Sequence, residues 1–159
     1  MPSSPIRNPA GSYDDAVALA LSSDGSRLFI TGVEWFSENR YATVAYDAST
    51  GKLVWVNYFV ATAGFGEPTA VGVTRDGSTV VVTGTGGTTP TSDSDYWTVA
   101  LTASTGAQLW ASRYDGPAHD YDHASALGLS PDGTKAFVTG WSTGIGTGFD
   151  SATIAYSLT

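Results

Sequence analysis

Both histidines of the chain lie in one short segment, His119-Asp120-Tyr121-Asp122-His123. Imidazole nitrogens and carboxylate oxygens bind zinc and other divalent ions, so His119, Asp120, Asp122 and His123 are candidate metal ligands. In an extended strand, however, the two histidines would lie about 13 Å apart, at about 3.3 Å per residue. They could share an ion only if the chain turned between them. We therefore favour a solvated connecting loop and predict no metal site here.

Aspartates are grouped at three places along the chain. The groups are Asp14 with Asp15, Asp93 with Asp95, and Asp115 with Asp120 and Asp122. Carboxylate oxygens are ligands that Ca²⁺ prefers. None of the groups has the spacing of an EF-hand loop, and aspartate-rich loops are ordinary in acidic proteins. We expect no cofactor, with calcium as the alternative.

Aromatic and acidic residues between the predicted strands are candidates for ligand binding. The candidate ligand-facing positions are Trp35, Phe36, Asp93, Asp95, Trp141 and Phe149. Flat rings at such positions, together with that of Trp97, could stack against a sugar or a peptide. The alternative for Trp97 and Trp141, which adjoin strands, is packing between sheets.

No residue pattern predicts catalysis. The absence of cysteine excludes disulfides, thiolate metal sites and a cysteine nucleophile. Neither histidine accompanies a Gly-x-Ser-x-Gly nucleophile motif. The Ser-x-Asp-Gly segments at 22–25 and 130–133 are one residue too short for a sialidase Asp-box, so we interpret them as turns. We predict no catalytic and no cofactor-binding residue, and a protein that is not an enzyme.

The charge of the chain excludes two classes of partner. Its net charge is −8, and its seven basic residues are spread singly. Such a chain is repelled by nucleic acid and by anionic lipid, so we expect neither partner. No apolar run is long enough to cross a bilayer, and Met1–Pro5 lacks the basic and apolar regions of a signal peptide. The sequence leaves the cellular location open.

The elements that carry these residues are three tandem repeats. The segment 17–32 returns at 70–84 and at 126–140, and Thr43, Thr98 and Thr153 are each 55 residues apart. The repeats span approximately 13–62, 66–117 and 121–159 of a single domain, 1–159.

Within a repeat, short apolar strands alternate with turn residues. Strands one and two flank an Asp-Gly turn, at Asp24-Gly25, Asp76-Gly77 and Asp132-Gly133. A connection of variable length precedes strand three, and a Thr-Gly turn precedes strand four. The pattern predicts an all-β fold with eleven strands between residues 14 and 156, in four-stranded antiparallel meanders. These are β-propeller blades, which we favour over a β-solenoid.

Motif residues near the end of the first two repeats resemble those of a known family. Ala45, Asp47, Thr50, Gly51 and Trp55 resemble the tryptophan-docking motif of pyrroloquinoline-quinone propellers, and Ala100, Thr105, Gly106 and Trp110 repeat it, with Thr102 in place of aspartate. The turn at 130–133 resembles YVTN-type and WD-repeat blades, and 138–142 resembles repeats of exported bacterial propellers. The resemblance implies blades that pack through small alanines and flat indoles. It does not carry over the quinone enzyme, whose vicinal cysteines are missing.

Three blades cannot close a ring, which predicts self-association. We expect a homodimer that forms a six-bladed propeller, with Met1–Asn8 completing the third blade of the other copy; a trimer with nine blades is the alternative. The expected function is a non-enzymatic scaffold or a platform that binds a protein or carbohydrate. The alternative is a fragment of a propeller hydrolase or lyase, with catalytic residues in loops or in absent blades.

Overall fold

A computed structural model describes residues 14–35, 39–61, 65–89 and 92–158; Phe36 and Met1–Asn8 lie outside the described residues. The described residues form eleven strands. They are β1 (Asp14–Leu21), β2 (Arg27–Trp35), β3 (Asn39–Asp47), β4 (Leu53–Phe59), β5 (Phe65–Val73), β6 (Thr79–Thr89), β7 (Ser92–Thr102), β8 (Gln108–Tyr114), β9 (Asp122–Leu129), β10 (Lys135–Gly144) and β11 (Gly148–Ser157). The predicted all-β fold is confirmed. Across these ranges no helix is long and apolar enough to span a membrane.

The strands form three antiparallel sheets, which we call blades 1, 2 and 3. Blade 1 has the order β1-β2-β3-β4, blade 2 the order β5-β6-β7-β8, and blade 3 contains β9-β10-β11. The repeats have the same register: Ala45 pairs with Trp55 in blade 1, and Ala100 pairs with Trp110 in blade 2. A bulge recurs between the first two strands of every blade. Equivalent residues of the repeats therefore occupy equivalent places in the three sheets.

The Asp-Gly turns are held by the aspartate side chain. Asp24 Oδ1 accepts hydrogen bonds from Ser22 Oγ at 2.6 Å and from the Ser26 amide at 2.9 Å, while Gly25 adopts a φ of 70°. Asp76 and Asp132 make the same contacts in the other blades. These bonds favour the ionised carboxylate, and the bond from the serine hydroxyl contributes most. The pKa values of Asp24 and Asp132 therefore fall to about 2.

These turns make the fold sensitive to acid. A carboxylate whose pKa is lowered in the folded state stabilises the protein above its unfolded pKa, and the contribution is lost as the pH falls through the folded value. Above about pH 4, wild type should therefore unfold at a higher urea concentration than Asp132→Asn. This difference between the two urea midpoints should disappear as the pH falls from about 4 to about 2. The comparison is made by circular dichroism. A difference that stays constant down to pH 2 would contradict this account of the turn.

Each blade has two faces that contact different neighbours. We call the face toward the following blade the front and the face toward the preceding blade the back. Phe29, Ala45 and Trp55, on the front of blade 1, share a buried cluster with Val82 and Leu101, on the back of blade 2. On the next interface, Tyr96 of blade 2 packs with Ala124 and Val138 of blade 3. Alternation along each strand thus produces two apolar faces per blade, both of which need a partner.

Candidate functional site

Three carboxylates from two blades converge at the interface of blades 2 and 3. Asp95 lies in β7, Asp115 follows β8, and Asp122 begins β9; one oxygen from each lies within 4.8 Å of the others. Asp95 and Asp122 are buried. We call Asp95, Asp115 and Asp122 the acidic cluster.

Among the described residues, one guanidinium contacts the acidic cluster. Arg113 donates from Nε to Asp95 Oδ2 at 2.6 Å, and its Nη2 lies 3.4 Å from Asp115 Oδ2. Burial raises the pKa of Asp95; the bond from Arg113 opposes this shift, and the charges of Asp115 and Asp122 add to it. The hydrogen bond to Asp95 raises the pKa of Arg113. The arrangement is a partly compensated pocket of negative charge.

The predicted metal candidates point to different partners. His119 is exposed, has a φ of 50°, and its Nδ1 lies 3.0 Å from Asp115 Oδ2. His123 Nδ1 lies 3.4 Å from Ser125 Oγ. Asp120 is exposed, and Asp122 joins the acidic cluster instead. Within the described ranges, the carboxylate contact is made by His119 and the hydroxyl contact by His123. No single histidine links a serine to an aspartate there, as a Ser-His-Asp triad requires.

Four rings form a group on the front of blade 3, which we call the Trp141 cluster; Tyr121, His123 and Trp141 are half-buried, and Phe149 is exposed. The rings of Tyr121 and His123 lie 5.2 and 5.4 Å from that of Trp141, each with an interplanar angle of 8°. Phe149 lies 4.5 Å from Trp141 and is 68% exposed. The cluster offers flat apolar area at the surface, where such rings bind sugars, peptides or other proteins.

The other predicted ligand-facing residues are dispersed. Trp35 is exposed at the end of β2. Asp93 adopts a φ of 56° within β7, and Asp95 is buried in that strand rather than placed in a loop. Trp97 is half-buried and contacts Phe59 of blade 1 at 5.6 Å, so its ring packs between blades.

The residues predicted to form a tryptophan-docking motif lie in the last two strands of blades 1 and 2 and in the turns between those strands. The Asp47 carboxylate accepts hydrogen bonds from the hydroxyls of Ser49 and Thr50. These bonds, with that from Ser49 contributing most, hold the pKa of Asp47 well below its usual range. Trp55 Nε1 donates to the Ala103 carbonyl at 2.8 Å. The equivalent Trp110 is half-buried and lies 5.6 Å from Tyr156.

The front of blade 3 repeats the chemistry of the front of blade 1, but it faces solvent. The equivalent pairs are Phe29 and Phe137, Thr31 and Thr139, Thr43 and Thr153, and Ala45 and Ala155. Phe29 is 1% exposed and Phe137 is 41% exposed. The hydroxyls of Thr139 and Thr153 lie 2.9 Å apart, as the buried Thr31 and Thr43 do at 3.2 Å.

The backs of the blades contain glycine sockets for tyrosine. Tyr41 of blade 1 lies over Gly84 of blade 2, since a Cβ on Gly84 would be 2.6 Å from the Tyr41 hydroxyl. Tyr96 lies over Gly140 in the same way, at 2.7 Å. The equivalent glycine of blade 1, Gly32, lines a surface groove of about 220 Å³.

Apolar side chains surround this groove on the back of blade 1. Its apolar lining includes Ala16, Ile30, Ala42, Val44 and Tyr46. Beside it, Leu19 is 67% and Leu21 54% exposed. Their equivalents in blade 3, Leu127 and Leu129, reach blade 2 instead, within 3.3 Å of a Cβ added at Gly72.

Comparison with known proteins identifies the architecture. No protein-family model and no curated protein matches the chain. Among solved structures, TolB from Acinetobacter baumannii, a β-propeller protein, has a TM-score of 0.50 and 17% identity over 90% of this chain. A eukaryotic initiation factor has a TM-score of 0.51 and 8% identity over 84% of this chain. A gluconolactonase from Xanthomonas campestris has a TM-score of 0.46 and 20% identity over 80%.

At these identities the likeness concerns the fold alone. The chain is built of β-propeller blades, as its repeats predict. It spans 27% of the initiation factor, 35% of the gluconolactonase and 32% of TolB.

Proposed function

We propose that the chain is a non-catalytic β-propeller scaffold that closes by binding a second copy of itself, front of blade 3 against back of blade 1. One observation carries the proposal: the two exposed faces are equivalent to the two halves of interfaces that the chain already makes internally. Phe137, Thr139 and Ala155 repeat a buried front, and Leu19 and Ile30 repeat a buried back.

The glycines of the inner strands show the difference between a covered and an open front. A Cβ on Gly72 of blade 2 would lie 3.1 Å from Leu129 of blade 3. At the equivalent Gly128, no heavy atom of the described part of the chain lies within 4 Å of an added Cβ. Leu21 of a second copy, equivalent to Leu129, would supply the missing contact. Burial of such apolar area is the main force in stable association.

The Trp141 cluster completes the fit. Blades 1 and 2 insert Tyr41 and Tyr96 into glycine sockets, whereas the equivalent residue of blade 3 is Ser151. The exposed ring of Phe149 and the half-buried ring of Trp141 lie beside that position, and in the dimer they would supply the apolar bulk for the groove at Gly32. A twofold axis along the channel would then repeat the contact and give six blades.

The experiment is light scattering on purified protein at micromolar concentration. Wild type should have twice the chain mass of 16.5 kDa. Phe137→Glu and Leu19→Arg should each have the mass of one chain, with unchanged circular dichroism because both side chains are exposed in the isolated chain. Ile145→Arg, in the exposed turn between β10 and β11, is the matched control and should stay dimeric.

Mixing the two variants tests the head-to-tail arrangement. A pair of Phe137→Glu with Leu19→Arg keeps one unmodified interface, so dimers should reappear in the mixture. Wild type at the mass of one chain would overturn the proposal. A Phe137→Glu monomer beside a Leu19→Arg dimer would overturn head-to-tail contact in favour of front-to-front contact. Three times the chain mass would overturn the twofold ring, and a monomer that binds oligosaccharide at Trp141 would assign this face to sugar.

A further inference from the structure

The acidic cluster has an excess of buried negative charge. Asp95, Asp115 and Asp122 bring three carboxylates together, and Arg113 supplies one guanidinium. The carboxylates and the guanidinium alone leave two negative charges when all are ionised; the exposed imidazole of His119 also lies 3.0 Å from Asp115 Oδ2. Like charges at this separation repel strongly away from water, so the interface of blades 2 and 3 is matched to a divalent cation.

Three buried oxygens around this cluster have no hydrogen-bond partner among the residues that the structure describes. They are Asp95 Oδ1, Asp115 Oδ1 and Ser142 Oγ. Ser142 is 3% exposed, and its Oγ lies 2.1 Å from the position of a Cβ on Gly116, with Asp122 Oδ1 2.6 Å from the same point. The hydroxyl thus lies beside the Asp122 carboxylate. A buried polar oxygen without a partner is costly, and a cation would satisfy all three.

The loop that carries two of the acids is fixed in place. The Gly116 amide donates to Asp122 Oδ2 at 2.5 Å, and the Thr143 amide donates to Asp122 Oδ1 at 3.3 Å. These bonds leave lone pairs on both carboxylate oxygens free to coordinate. Any side chain at Gly116 would collide with Ser142 Oγ and Asp122, so glycine keeps the space between them open.

We infer that Asp95, Asp115, Asp122 and Ser142 bind one Ca²⁺ ion between blades 2 and 3. All the proposed ligands are oxygens, which suit hard cations. One oxygen from each carboxylate lies within 4.8 Å of the others, which is close enough for one ion to bind all three. Ca²⁺ accepts irregular oxygen geometry, whereas Mg²⁺ demands a near-ideal octahedron, so we expect Ca²⁺ to be preferred. Water would complete the shell. Since Asp95 and Asp115 belong to blade 2, and Asp122 and Ser142 to blade 3, the ion would hold the blades together.

The test is calorimetric titration of EDTA-treated protein with CaCl₂. We expect one ion per chain at submillimolar affinity, Mg²⁺ at least about tenfold weaker, and a melting temperature about 5 °C or more higher at saturating Ca²⁺. The same result is expected in Phe137→Glu, because the site lies within one chain. This keeps the inference separate from self-association. An absence of both heat and thermal shift at 1 mM Ca²⁺, roughly the weak limit for protein calcium sites, would overturn it.

Three variants locate the ion. Asp122→Asn should weaken Ca²⁺ binding at least about tenfold, and Ser142→Ala, which keeps every charge, about threefold or more. Asp120→Asn makes the same change of charge at an exposed neighbour and should bind like wild type. Circular dichroism confirms folding, and Ser142→Ala still decides the question if Asp122→Asn fails to fold. Full affinity in both Asp122→Asn and Ser142→Ala would place the ion elsewhere and overturn the assignment.

Discussion

Replacement of Trp55 by alanine is expected to lower the free energy of unfolding by about 3–5 kcal/mol. The indole is 8% exposed, lies 5.9 Å from the ring of Phe29, and donates to the Ala103 carbonyl. Gly106 lies directly against the ring, since a Cβ there would be 2.6 Å from Trp55 Cε3. Alanine would leave a cavity between blades 1 and 2 and a carbonyl without its donor. That loss is a large part of a typical domain stability of about 5–15 kcal/mol.

Trp110→Ala is the matched control for this prediction. Trp110 occupies the equivalent position of blade 2 but is only half-buried against Tyr156. Trp110→Ala should lower the free energy of unfolding by about half as much as Trp55→Ala, because Trp110 buries less area away from water. Both variants are unfolded with urea in the Phe137→Glu background, so that association does not contribute to the midpoint. A cost below about 1 kcal/mol for Trp55→Ala would disprove its docking role.

Gly84→Ala should destabilise the protein by about 3 kcal/mol, the upper range for overpacking. A Cβ at this site would lie 2.2 Å from the Glu67 carbonyl oxygen and 2.5 Å from Pro68 Cα, both backbone atoms of β5. It would also meet the Tyr41 hydroxyl, which donates to the Thr85 carbonyl. The β5–β6 pairing and the Tyr41 contact would both have to shift. Urea unfolding measures the effect.

Gly128→Ala, also within a strand, separates this steric effect from the general effect of a methyl group. Both glycine variants are compared in the Phe137→Glu background, so that a second copy does not cover Gly128. There, no heavy atom of the described residues lies within 4 Å of the added Cβ. The variant should be as stable as wild type or gain up to about 1 kcal/mol, because alanine loses less backbone entropy on folding than glycine. Equal losses in Gly84→Ala and Gly128→Ala would show that the glycine sockets are not tight.

The sequence by itself determined the strands, the turns and the equivalence of the repeats. Asp24 and Gly25 form their turn through contacts within five residues, and the same short-range contacts recur at Asp76 and Asp132. Alternation of apolar residues then fixes two faces for every blade. These features follow from local chemistry, so pattern and spacing sufficed to predict them.

The acidic cluster could be predicted from the sequence only in part. The sequence drew attention to Asp95, Asp115 and Asp122 in separate groups, but nothing in it indicated Arg113 or Ser142. Asp95 and Asp122 belong to different blades, and Ser142 is placed beside Asp122 by the β9–β10 register. Contacts across an interface depend on how two sheets pack, which local spacing does not encode.

Burial of the repeated faces was decided by the tertiary structure. Phe29 and Phe137 have the same residue type and the same position in the repeat, yet one is in the core and the other is at the surface. Leu21 and Leu129 differ in the same way. The sequence determines what each face is made of. Whether a face is covered depends on the neighbouring blade, because burial is a property of two surfaces in contact and not of either strand alone.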